Sequence, residues 1–81
     1  MSKRDRFSIP VEILETSING ATMRQIEREM CLADTLFKKY EPMLLEEGTL
    51  EKKEKIYITT EKGKNAITTY QEMMALIESK A

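Results

Sequence analysis

Histidine does not occur in the 81-residue chain, and cysteine occurs once, at Cys31. The first absence removes the commonest general base and metal ligand. The second excludes an internal disulfide and any metal site built from several thiols, and leaves Cys31 most simply a small core residue. No Gly-rich phosphate loop, short-range nucleophile–base pair or metal-ligand spacing is present. Glu46 and Glu47 are adjacent carboxylates, but neighbours on a helix do not face each other, so they read as a solvated helix end. These gaps argue against an enzyme and against a cofactor, and no small-molecule ligand is evident. No apolar run approaches the ~18 residues of a membrane-spanning helix, so no membrane partner is expected. The opening MSKRDRFSIP is basic but lacks the apolar core of a signal peptide, which makes the cytoplasm the expected compartment.

What is present is an ordinary balance for a folded protein, 41% hydrophobic and 33% charged residues. That supports one domain with one modest core, marginal for a monomer of this length. The net charge of −1 gives no support to nucleic-acid binding, but its distribution is uneven. Lys3, Arg4 and Arg6 make the start basic, Glu41, Glu46 and Glu47 are acidic, and Lys52, Lys53 and Lys55 are basic again. An average can hide a patch.

Ser8 and Pro10 read as a helix start, and Ile9, Ile13, Leu14 and Ile18 recur at helical spacing up to a stop at Asn19-Gly20. TMRQIEREM begins with Thr22 and has Gln25 three residues on, the capping-box pattern. Its buried face is Met23, Ile26 and Met30, with Arg24, Glu27 and Arg28 outward. A third helix is expected from about Asp34 to Glu47, with Leu36, Phe37, Tyr40, Leu44 and Met43 as its apolar stripe. Thr35, Lys38, Lys39 and Pro42 fall on the opposite face, and Pro42 is expected to bend or split the helix. Gly48 closes it.

Two short strands follow, Thr49 to Lys52 and Lys55 to Thr59, the second with Ile56 and Ile58 alternating with Tyr57 and Thr59. Thr60 can cap a last helix that runs to about Lys80. The expected fold is therefore mainly α with a small β-hairpin (α+β): three helices, a two-stranded hairpin and a long C-terminal helix. The expected divisions are a flexible basic arm at 1–7, a domain at 8–60 and a C-terminal helix at 61–81.

This order resembles the winged helix-turn-helix plan, and the chain looks like the small winged-helix DNA-binding proteins and regulators common in archaea. The likeness rests on Leu32, Leu36, Tyr40, Leu44, the EEGTL step at Glu46 to Leu50, and IYITTEKGK at Ile56 to Lys64. It covers about residues 6 to 78. The resemblance implies a homodimer on double-stranded DNA that regulates transcription. Its third helix would lie in the major groove and its hairpin, the wing, on the backbone.

On that resemblance Thr35, Lys38 and Lys39 are the recognition positions and Lys52, Lys53 and Lys55 the wing positions, with Arg24 and Arg28 placed to grip the backbone. Taken alone, each lysine also fits a solvated face, and the arginines also fit local pairing with Glu27 or Glu29. Ile67, Tyr70, Met73, Met74 and Ile77 form the stripe expected to pair two copies, where packing on the first helix is the plainer reading. Asp34 and Pro42 depart from the family's pattern. Asp34, the acidic turn at Glu46 and Glu47, and an isoelectric point near 5.5 favour a rival, a winged-helix protein-interaction module that does not bind DNA.

Overall fold

The first described helix, α1 (Ser8–Thr16), carries Pro10 in its opening turn, where the missing N–H had no partner to lose. The computed structural model describes residues 8–80, with side chains for residues 8–78. The basic arm of Lys3, Arg4 and Arg6 lies outside the described residues. Ile9, Ile13 and Leu14 face inward as expected, but the helix ends earlier than the apolar spacing suggested. Ile18 sits in the turn beyond it and is exposed. The turn is held by Ser17, whose N–H donates to Ile13 O at 3.1 Å and whose carbonyl accepts from Gly20 at 3.0 Å.

Next comes an element absent from the expected plan, the two-residue strand β1 (Ala21–Thr22). It pairs with β3 (Ile56–Thr59), which also pairs with β2 (Leu50–Lys53), so the hairpin becomes a three-stranded antiparallel sheet ordered β1-β3-β2. Tyr57 and Thr59 are the buried residues of β3, while Ile56 and Ile58 face out.

Helix α2 (Met23–Met30) starts with the capping box read from its sequence. Thr22 Oγ1 accepts from Gln25 N at 3.2 Å and Gln25 Oε1 accepts from Thr22 N at 2.9 Å. The helix closes on Cys31, which adopts the left-handed conformation at φ 52°. Leu32 N–H reaches back to Glu27 O at 2.8 Å, and the Leu32 side chain turns into the core. Cys31 is therefore exposed rather than a core residue, because the capping conformation turns it outward.

Helix α3 (Asp34–Glu47) has the expected bounds and runs through Pro42 as one element. Pro42 lies on the solvent face, as does Met43, which leaves the expected stripe. Gly48 closes α3 at φ 79°, and Thr49 N–H and Oγ1 both donate to Leu44 O at 3.2 Å.

The segment TTEKGK (Thr59 to Lys64) ties three elements together. Thr59 Oγ1 donates to Leu14 O of α1 at 2.5 Å, and Thr59 N–H donates to Ser17 O at 3.1 Å. Thr60 Oγ1 donates to Gly48 O at 2.6 Å while accepting from Gly63 N at 3.1 Å, which caps the last helix. Lys62 Nζ donates to Glu47 O at 2.8 Å, at the negative end of α3.

Helix α4 (Glu61–Lys80) packs its first half on α1, where Gln71 donates to Glu15 at 3.2 Å. The core gathers Ile13, Leu14, Ile26, Met30, Phe37, Leu44, Leu50 and Tyr57, with Phe37 meeting the Tyr57 ring edge-on at 5.5 Å between centroids. Ile67 belongs to this core at 6% exposure. It therefore leaves the set of residues expected to pair two copies, because the chain's own fold already covers it.

Candidate nucleic-acid interface

Period-two alternation along β2 sends Lys52 and Lys53 to opposite faces of the hairpin. Lys52 turns toward α2 and α3, and Lys53 lies with Ile56 and Ile58 on the outer face of the sheet. Lys55 sits in the turn between the strands and borders both surfaces. The three hairpin lysines are exposed, but they do not form one row.

A cleft of about 510 Å³ opens between the start of α2 and the hairpin, lined by Thr22, Met23, Arg24, Lys52, Lys55 and Tyr57. Three of the expected contact residues, Arg24, Lys52 and Lys55, thus meet at one place although they are far apart in sequence. Arg28 is exposed one helical turn further along α2 and does not line the cleft.

Beneath the rim, the Tyr57 hydroxyl donates to Glu41 Oε2 of α3. Burial, followed by that carboxylate, raises the Tyr57 phenol well above its ordinary value, so it remains a donor at any ordinary pH. Lys52 Nζ stands 3.9 Å from the same Glu41 oxygen and 5.4 Å above the Tyr57 ring. Glu41 thus engages both a phenol and an ammonium. The expectations named neither Glu41 nor Tyr57 as part of a site. The signal available for them was general: a buried Tyr needs a partner for its O–H.

On α3, Thr35, Lys38 and Lys39 are all exposed on the outward face, as expected. They are not electrostatically alone. Lys38 Nζ lies 3.2 Å from the Asp34 carboxylate, one turn earlier. Asp34 also meets Glu27 of α2, which is half-buried rather than outward, with Oε2 enclosed and lacking a hydrogen-bond partner.

The two acids move apart in consequence. Glu27 is raised above the ordinary carboxyl range by burial, then by its hydrogen bond with Asp34. Asp34 is lowered, chiefly by its bond to Lys38 and next by that to Glu27. The junction between α2 and α3 thus places two carboxyl groups beside Lys38, the first of the two lysines expected to meet DNA. Lys39 Nζ stands 5.8 Å from the Tyr40 ring centroid.

The second half of α4 presents a different surface. Met73, Leu76 and Ile77 are 52%, 63% and 56% exposed, and Tyr70 and Met74 are half-buried. Leu76 was not among the expected residues, although it stands three positions after Met73, a spacing that places both on one helix face. Among the described residues no helix is long and apolar enough to cross a membrane. A model described as winged helix-turn-helix matches residues 3–78. No curated protein matches the chain.

Proposed function

The chain belongs to the winged helix-turn-helix family, and from that premise we propose that it binds double-stranded DNA as a homodimer and regulates transcription. The observation that carries the DNA reading is the convergence of Arg24 from α2 with Lys52 and Lys55 from the hairpin at one cleft. Phosphate binding needs cations gathered in space, and the overall charge of −1 does not supply them by accumulation. Thr35, Lys38 and Lys39 on the outward face of α3 are the residues that reach base edges, while Lys53 and Arg28 give outlying backbone contacts.

The dimer reading rests on the exposed stripe of Met73, Leu76 and Ile77, continued by Tyr70 and Met74. Exposed apolar residues clustered on one helix face mark an interaction surface. Pairing through α4 would set two recognition helices about 34 Å apart, one turn of DNA.

The test is sedimentation equilibrium followed by DNA titration at several salt concentrations. A dimer is expected, with affinity that falls steeply as salt rises. In Arg24→Ala/Lys55→Ala the slope of log K against log salt should be shallower by about 2, since each lost phosphate contact removes roughly 0.9. An unchanged slope removes the cleft from the interface. The Asp34–Lys38 pair favours a second reading, a protein-interaction module, because it cancels charge where DNA would be met. A dimer with no DNA affinity even at low salt would select that reading.

A further inference from the structure

Charge is divided along the molecule. Helix α1 carries Glu12 and Glu15 with no lysine or arginine, and from Asn65 onward α4 carries Glu72 and Glu78 with no cation before Lys80 at its end. The lysines and arginines from Arg24 to Lys64 belong to α2, α3, the hairpin and the first turn of α4. The two acidic stretches meet, because α1 packs on α4 and Gln71 donates to Glu15 at 3.2 Å. The exposed stripe of Met73, Leu76 and Ile77 therefore emerges from the acidic part of the protein.

Helical spacing puts an acid on each flank of that stripe. Glu72 stands one turn before Leu76 and Glu78 one turn after Met74, and both acids are exposed. Two copies paired stripe to stripe would bring Glu72 and Glu78 of each to a shared rim, with no cation between Asn65 and Glu78 to meet them. Like charges across an interface oppose association.

The chain holds charge of the opposite sign in the segment before α1. Lys3, Arg4 and Arg6 against Asp5 give residues 1–7 a net charge of +2. We propose that residues 1–7 of each copy dock on the acidic rim of the other copy's α4, with Lys3, Arg4 and Arg6 meeting Glu72 and Glu78. The proposal rests on the homodimer reading and names what closes its seam. Reach permits the contact. Seven extended residues span at most about 23 Å. From the start of α1 to the opposite rim there are two interhelical steps, α1 to α4 and then α4 to α4 across the seam, of ~8–10 Å each.

The sign of a salt effect separates this seam from a bare apolar one. A seam rimmed by carboxylates alone tightens as salt screens their repulsion. One closed by cation–carboxylate pairs loosens.

The experiment is sedimentation equilibrium of the full chain without DNA, from about 0.05 to about 0.5 M salt. The parent dimer is expected to weaken about tenfold or more across that range. Lys3→Glu/Arg4→Glu/Arg6→Glu should weaken it comparably at low salt, and adding Glu72→Lys/Glu78→Lys should restore it. Rescue by changes on another element excludes simple misfolding as the cause of the loss. A parent dimer that holds constant or tightens with salt overturns the proposal and leaves the homodimer standing. So does a charge-reversed segment that leaves the dimer as strong as the parent, or a loss that the paired reversal on α4 does not rescue. A chain that stays monomeric at every concentration overturns both readings.

Discussion

Gly63 lies within α4, where a glycine ordinarily weakens a helix, and replacing it with alanine should nevertheless destabilise this protein. Helix propensity alone favours Gly63→Ala by about 1 kcal/mol. The surroundings oppose it. A Cβ at this position would fall deep inside the contact distance of the Thr49 carbonyl oxygen and 2.6 Å from Thr59 Cγ2. Neither neighbour is free to retreat. Thr49 O accepts from Thr60 N at 3.0 Å, Thr49 N–H and Oγ1 hold the end of α3, and Thr59 is bonded to Leu14 and Ser17.

Accommodating the methyl group means moving α4 away from the sheet or breaking the Thr60–Thr49 bond. Overpacking of a tight site costs about 1–3 kcal/mol, and a lost hydrogen bond about 1 kcal/mol more. Subtracting the propensity gain leaves a net loss of roughly 1–3 kcal/mol. For a domain of this size each kcal/mol moves Tm by about 4–8 °C, so a fall of roughly 4–24 °C is expected. Thermal unfolding followed by circular dichroism, at matched protein concentrations, measures it. Asn65→Ala, exposed in the same turn, is the control and should raise stability slightly. A Gly63→Ala protein that melts at or above the parent temperature would refute the packing argument, because propensity and packing predict opposite signs.

Three further predictions concern the described side chains. Glu27 is raised by the fold, so the stability it contributes is present below its unfolded value and is lost as pH rises through the folded one. Glu27→Gln should therefore melt higher than the parent at neutral pH and converge with it below the ordinary value of 4.5; equal Tm values at neutral pH would show the pair is not strained. Thr22→Ala should cost about 1 kcal/mol, and Gln25→Ala combined with it less than the sum of the two, which a double-mutant cycle in urea can read. Tyr57→Phe leaves Glu41 with Lys52 alone and should cost about 1–2 kcal/mol. An unaltered urea midpoint would mean water replaces the phenol without loss.

The sequence announced features that rest on local chemistry. The Thr22/Gln25 box, the bounds of α3 and the Gly48 closure each depend on residues within a few positions of one another. Strand β1 was not legible because two residues carry no period, and its pairing with Tyr57 and Ile56 is fixed only by the fold. The alternation along β3 was visible, but not the choice of Tyr57 and Thr59 as the inner pair. Cys31 was misplaced for a similar reason, since burial propensity says nothing about a residue used as a left-handed cap. Glu27 looked outward on its own helix, and its half-burial and its meeting with Asp34 of α3 are fixed only by the fold. The cleft was invisible as a unit because Arg24 and Lys55 are joined by no sequence pattern.

These charges bear on how DNA would be met. Lys38 is held by Asp34 at 3.2 Å, and bringing a phosphate to Lys38 also brings it near two carboxyl groups. At the cleft the balance is reversed: three cations line it against one neighbouring carboxylate, Glu41, which accepts from Tyr57 and lies 3.9 Å from Lys52. Coulomb attraction at exposed sites is weak per pair and cumulative over a cluster. The greater part of the salt-dependent affinity should thus come from α2 and the hairpin, with α3 contributing discrimination rather than strength. Asp34→Asn should then strengthen binding without changing the salt slope through lost cations, whereas Arg24→Ala should weaken it and flatten that slope. If instead Asp34→Asn weakens binding, the carboxylate is positioning Lys38 for a base, and the ion pair is part of the recognition surface.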